Sequence, residues 1–194
     1  KGEPRLAITY KDLTTTLQYL DPATNKWREL TSFPTFKETA ATIEPVAFGP
    51  TGTLFVTARG KAGTTAMHTF DVNTGKLDPQ PLLSAPGYDI DGELVINRDK
   101  VLGMQFRTDA VSNEWFDASM KAIQQDVDKL LPTTVNLMSG PARGDSPLLV
   151  VTAYSDVVAP VFFLYNSKTK SLNKVGEAQP GIDPRAVTLQ LGVQ

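Results

Sequence analysis

Four short stretches of this chain follow one pattern at near-constant distance, and that recurrence limits the fold more than any other feature. Residues 19–30 read YLDPATNKWREL and residues 69–80 read TFDVNTGKLDPQ. Each has an aspartate, threonine three positions on, lysine five on and a large apolar residue six on. A third copy, FLYNSKTKSLNKV, places Asn166, Thr169 and Leu172 at the same offsets, with Ser171 in the lysine's place. A fourth, EWFDASMKAI, keeps the aromatic–aspartate pair and then changes character. The markers Asp21, Asp71, Asp117 and Asn166 are 50, 46 and 49 residues apart.

The motif has a local physical meaning. A short carboxylate or amide at the end of a strand accepts hydrogen bonds from backbone N–H groups just ahead and starts a turn. Asn25 and Gly75 stand where the backbone must turn left-handed, and these residue types tolerate that best. Trp27 and Leu77 then open a returning strand. Hairpins recurring with a period near fifty residues indicate an array of supersecondary units.

The second unit shows the plan of one repeat. EPVAFGP, TLFVTAR and AMHTFDV read as strands separated by Pro/Gly turns, and KLDPQPLL reads as a fourth strand. Proline cannot donate to a sheet ladder, so this last strand belongs at an edge. The fourth unit repeats the plan with TVNLMS, PLLVVTAYS, PVFFLYN and SLNKVG. Four antiparallel strands, repeated, are the mark of a β-propeller blade. The expected fold is all-β, a propeller of about four blades, with units near 5–32, 43–83, 90–132 and 133–177 spanning residues 1–185.

Two places depart from the plan. After the strands ELVINRD, VLGMQFRTD and NEWFD, the stretch DASMKAIQQDVDKLLP spaces Met120, Ile123, Val127 and Leu130 as one helix face. Asp117 is suited to its N-cap and Pro132 lies just past its end, so an amphipathic helix near 118–131 is expected to pack on its blade. The first unit has no room for an innermost strand before RLAITYK, so the chain is expected to begin inside a blade. At the other end AVTLQLGV alternates with period two, placing Val187, Leu189, Leu191 and Val193 on one face. Residues 186–194 read as a strand completing the first unit, or as a linker towards a further domain.

Composition narrows the partners. The net charge is −2 and the 19 basic residues are scattered, which gives no basic field for nucleic acid. Apolar runs are too short to span a bilayer, so no membrane partner is expected. Cysteine is absent, which removes disulfides, thiolate metal sites and cysteine nucleophiles. KGEPRLAITY contains no signal-peptide core, and nothing in the residues separates cytoplasm from periplasm.

In order, GMQFRTD, WFD followed by a helix ending in LLP, TAYSD, FFLYN and IDP resemble the prolyl oligopeptidase family of serine peptidases. The likeness is to bacterial dipeptidyl or acylaminoacyl peptidase-like members and covers roughly residues 90–185. It implies that these units are the last blades of an N-terminal propeller, with QPGIDP leading towards an α/β-hydrolase domain. Such a propeller usually has about seven blades, and this chain has about four. No Gly-x-Ser-x-Gly nucleophile elbow is present; RGDSP offers Gly144 and Ser146, but Leu148 stands where the second glycine belongs. The resemblance therefore implies a propeller segment without its active site.

Individual residues add no catalytic centre. His68, the only histidine, has no nucleophile context and reads as an ordinary sheet histidine. Asp89, Asp91 and Glu93 alternate in YDIDGEL and could hold calcium if the loop curled around them. The rest of an EF-hand pattern is missing, so an acidic turn is the plainer reading, with no metal or cofactor expected. Trp27, Trp115, Phe162 and Phe163 read as filling between sheets rather than a ligand box. Lys168, Lys170 and Lys174 read as a solvated edge that discourages sheet-to-sheet aggregation.

Two functional readings follow. The first is a non-catalytic propeller domain that covers a peptidase active site and restricts substrate size. Its partners would be the α/β-hydrolase domain of the same parent chain and that parent's peptide substrate, with self-association through exposed blade faces in the severed segment. The second is a free-standing propeller-like binding or scaffold protein, since propellers host many unrelated functions. A metal hydrolase would need convergent ligands from several blades, which one histidine and one acidic cluster do not supply.

Overall fold

In a computed structural model, residues 3–37, 39, 41–60, 63–140 and 146–181 are described. They form four antiparallel sheets, each a simple meander, and one helix. The chain divides into two compact units, residues 1–91 and 92–194, with two sheets in each.

In the first unit, β1 (Leu6–Lys11), β2 (Thr14–Asp21) and β3 (Lys26–Pro34) make a three-stranded sheet. A four-stranded sheet follows from β4 (Ile43–Phe48), β5 (Leu54–Arg59), β6 (Thr65–Asp71) and β7 (Lys76–Leu77). The alternation of β5 sets Leu54, Val56 and Ala58 on one face, where they pack with Leu17, Leu30 and Phe70 into this unit's core. The two prolines cut the expected fourth strand to two residues, Lys76 and Leu77. The chain then detours past Pro79 and Pro81 and returns to β6, where Leu82 and Leu83 N–H groups donate to the Met67 carbonyl. An edge position tolerates this loss because proline's missing donor faces no partner strand there.

In the second unit, β8 (Gly92–Ile96), β9 (Val101–Arg107) and β10 (Val111–Trp115) form a three-stranded sheet. Next come α1 (Ala118–Leu130) and a four-stranded sheet of β11 (Val135–Met138), β12 (Leu148–Tyr154), β13 (Val161–Asn166) and β14 (Ser171–Glu177). Asp117 caps α1, its carboxylate accepting the Met120 N–H at 3.0 Å. Met120 and Val127 enter a core with Trp115, Met138, Val151 and Tyr165. The helix stripe ends one residue later than the spacing implies: Leu130 is 49% exposed, and Leu131, the C-cap, packs on the core instead. Its last-turn geometry swings Leu131 inward while its N–H still bonds the Val127 carbonyl.

The recurring motif performs one job three times. Asp21 and Asp71 each accept a backbone N–H two residues on at 2.8 Å, and Asn166 does so at 3.0 Å. The strand registers pair Asp21 with Lys26, Asp71 with Lys76 and Asn166 with Ser171, so each loop has four residues. The last of the four is left-handed in every case: Asn25 at φ 54°, Gly75 at φ 68° and Lys170 at φ 54°. At Asp117 the same side-chain acceptor starts a helix instead of a turn.

Gly103 shows a different need for glycine. It faces Trp115 across the β9–β10 pair, and a Cβ there would sit 2.4 Å from the Glu114 carbonyl and 2.8 Å from the Trp115 ring. Without a Cβ here, the Trp115 ring has room beside the strand. The segment 182–194, including the expected strand AVTLQLGV, lies outside the described residues.

Candidate functional site

The first unit holds an apolar groove of about 500 Å³ along β1. Ile8 and Tyr10 form one wall, Leu17 and Phe33 the floor, and Ile43 and Pro45 the far side, with Glu44 the only charged residue in its lining. Period-two alternation puts Leu6, Ile8 and Tyr10 on one face of β1. Ile8 is 47% and Tyr10 69% exposed, although both are large and apolar in body. Thr15 and Thr35 close one end through a hydroxyl–hydroxyl bond of 2.9 Å. The groove offers shape and apolar surface, but none of its lining residues is an acid–base pair or an activated nucleophile.

The second unit holds a polar pocket of about 370 Å³ between α1 and β11. Gln124 is its hub: its side-chain oxygen accepts the Trp115 indole N–H at 2.9 Å, and its amide donates to Asp128 and to the Asn136 carbonyl. Buried Asn136 donates to Asp128 and to the Leu131 carbonyl, and accepts from Thr134. The side-chain N–H and O–H donors of this cluster are all engaged within it. It fastens the helix to the sheet.

Ion pairs at the helix have the same structural character. Lys170 reaches Asp126 at 2.9 Å, tying the β13–β14 loop to α1. That contact lowers the Asp126 pKa and raises that of Lys170. Lys174 pairs with Glu177 at 2.6 Å. Both lysines stay solvated while paired, their side chains 68% and 53% exposed, and the partner of Lys170 lies 44 residues away in sequence. Asp117 also pairs with Lys100, and this contact first, then burial opposing it and the Met120 N–H, leaves its carboxyl below the ordinary range.

His68 lies buried on β6 with its Nδ1 2.8 Å from the Asp78 carbonyl, a backbone contact rather than a triad. Ser146 turns its hydroxyl to the Leu148 N–H at 3.2 Å, and Gly144 lies outside the described residues. Asp89 accepts the Thr65 N–H at 2.7 Å, which holds its pKa low. Among the described residues no three acidic or histidine side chains converge as a metal site, so Asp89, Asp91 and Glu93 are not assembled into one. Trp115 is buried in the core, whereas Trp27 is 47% exposed, against the expectation that it fills space between sheets. Trp27 is the second residue of β3, beside the turn. Phe162 and Phe163 are half-buried, and Phe163 packs against the core. The groove on β1 had a faint signal, the alternation in LAITY, but its depth depends on β3 and β4 and could not be read from that word.

Four meandering antiparallel sheets with repeat-marking hairpins define the chain as a β-propeller type of all-β protein. No known family profile matches the chain, and no curated protein matches it. Among solved structures it is similar to puromycin hydrolase, with a TM-score of 0.52 and 15% identity, over 92% of this chain and 28% of that one. It is also similar to TolB from Acinetobacter baumannii, at 0.45 and 13%, over 89% of this chain and 40% of that one. The chain thus spans less than half the length of either, and the likeness to puromycin hydrolase is one of fold.

Proposed function

We propose that this chain is a non-catalytic propeller segment of a serine peptidase of the prolyl oligopeptidase kind. The observation that carries the reading is the agreement of two likenesses, one of sequence words and one of fold. The ordered words GMQFRTD, WFD, TAYSD and FFLYN resemble that family, and the sheets match the fold of puromycin hydrolase over 92% of the chain. In this role the blades act by size, admitting short peptides to a neighbouring active site and excluding folded proteins.

The test is the reading frame of the parent gene beyond Gln194. A Gly-x-Ser-x-Gly elbow followed by Asp and His in α/β-hydrolase order is the expected result. A stop codon soon after Gln194, with no hydrolase domain encoded upstream, would overturn the reading and leave a free-standing binding scaffold. A purified parent should cleave short peptides, and deleting residues 1–181 from it should admit longer substrates.

A further inference from the structure

The turn motif aligns the sheets strand by strand. Counting back from Asp21, Asp71 and Asn166 through the registers makes β1 the equivalent of β5 and β12. Leu6 then corresponds to Phe55 and Val150, because each pairs with the residue two before the marker. Both β5 and β12 carry a further strand on their other side, β4 and β11. In the first sheet that place beside β1 has no strand among the described residues.

Among the described residues no strand bonds the outer edge of β1, and the backbone geometry aims that edge outward. The Leu20 N–H donates to the Arg5 carbonyl at 2.9 Å, so Arg5 and Leu20 are a hydrogen-bonded pair. Antiparallel pairs alternate, and Ala7, Thr9 and Lys11 therefore turn their main-chain groups towards β2. Leu6, Ile8 and Tyr10 turn theirs outward. Their counterpart Val150 uses its carbonyl to accept the Ser139 N–H at 3.1 Å as the chain leaves β11. Of the three outward residues, Ile8 and Tyr10 line the groove, and Leu6 packs against the core.

We infer that the outer edge of β1 is a strand-acceptor site for an extended peptide. The occupant is four to six residues long, the lengths of β11 and β4, and runs antiparallel with apolar residues at alternate positions. Main-chain bonds to Leu6, Ile8 and Tyr10 hold it, and its apolar side chains enter the groove. Glu44 at the rim favours a lysine or arginine there. The inference rests on strand equivalence within this chain and stands whether or not the parent is a peptidase.

Amide exchange of the full chain, followed by NMR, tests this with a capped peptide copying Thr134–Ser139. The expected result is that the Ile8 and Tyr10 N–H groups exchange fast alone and slow by at least about tenfold with peptide, while Ala7 and Thr9 start protected. Ile8→Pro removes an outward donor without touching a β1–β2 bond. It should keep the Ala7 and Thr9 protection and weaken peptide binding by about tenfold or more. No protection of Ile8 at any peptide concentration overturns the proposal. So does protection without peptide, whether it grows with protein concentration, which assigns the edge to a second copy, or vanishes on truncation after Gly181, which assigns it to the chain's own C-terminal segment.

Discussion

Tyr165 is fully buried, and its hydroxyl has no hydrogen-bond partner among the described residues. Burial, and then the charge of Asp126, raise its pKa, so it stays neutral. A buried, unpaired hydroxyl costs stability, and removing it while keeping the ring relieves that cost. Tyr165→Phe should therefore stabilise the protein by about 1 kcal/mol in urea unfolding. Gly103→Ala should do the opposite. Its Cβ would meet backbone at 2.4 Å, and the strand pair would have to part by a loss of about 1–3 kcal/mol. Neither residue stands out in the sequence: a glycine inside VLGMQFR reads as a strand flaw until the indole beside it is seen.

The helix depends on Asp117, which both caps α1 and meets Lys100. Asp117→Ala should cost about 1–2 kcal/mol, measured as loss of thermal stability. Asp117→Asn keeps an acceptor for Met120 N–H and should cost less. Because the folded carboxyl titrates below its unfolded value of 3.8, its contribution is fully present above that value. It is lost as pH falls through the lower folded pKa. The stability advantage of the wild type over Asp117→Asn should accordingly shrink below pH 3.8, and an advantage unchanged down to pH 2 would contradict the pairing. At this scale much was legible beforehand. Three hairpins, the left-handed sites at Asn25 and Gly75 and the helix itself follow from local chemistry that acts within six residues. The inward swing of Leu131 and the Lys170–Asp126 tie were not, because they depend on packing against elements distant in sequence.

Each compact unit has a core of its own, the first around Leu54 and Val56, the second around Val127 and Val151. A domain with its own core can fold alone. Residues 92–181 expressed by themselves should give a helix-plus-sheet circular dichroism spectrum and a single cooperative melt. Trp115 provides the optical signal, since it is buried in that core; its emission should be blue-shifted and move to the red on unfolding. A flat melt or red-shifted emission from the start would show that this core needs the other half of the chain. The candidate site was the least legible part. The groove's wall comes from one strand, but its floor and far side come from others.

The shared hairpin geometry also makes the loops interchangeable parts. Loops 22–25, 72–75 and 167–170 span the same four residues between strands of the same register and end in the same left-handed step. Writing Val-Asn-Thr-Gly in place of Pro-Ala-Thr-Asn at 22–25 would put glycine at the φ 54° position without breaking a registered strand pair. Such a position accepts transplanted sequence, so an epitope or affinity tag carried on this turn should leave the sheet beneath it undisturbed.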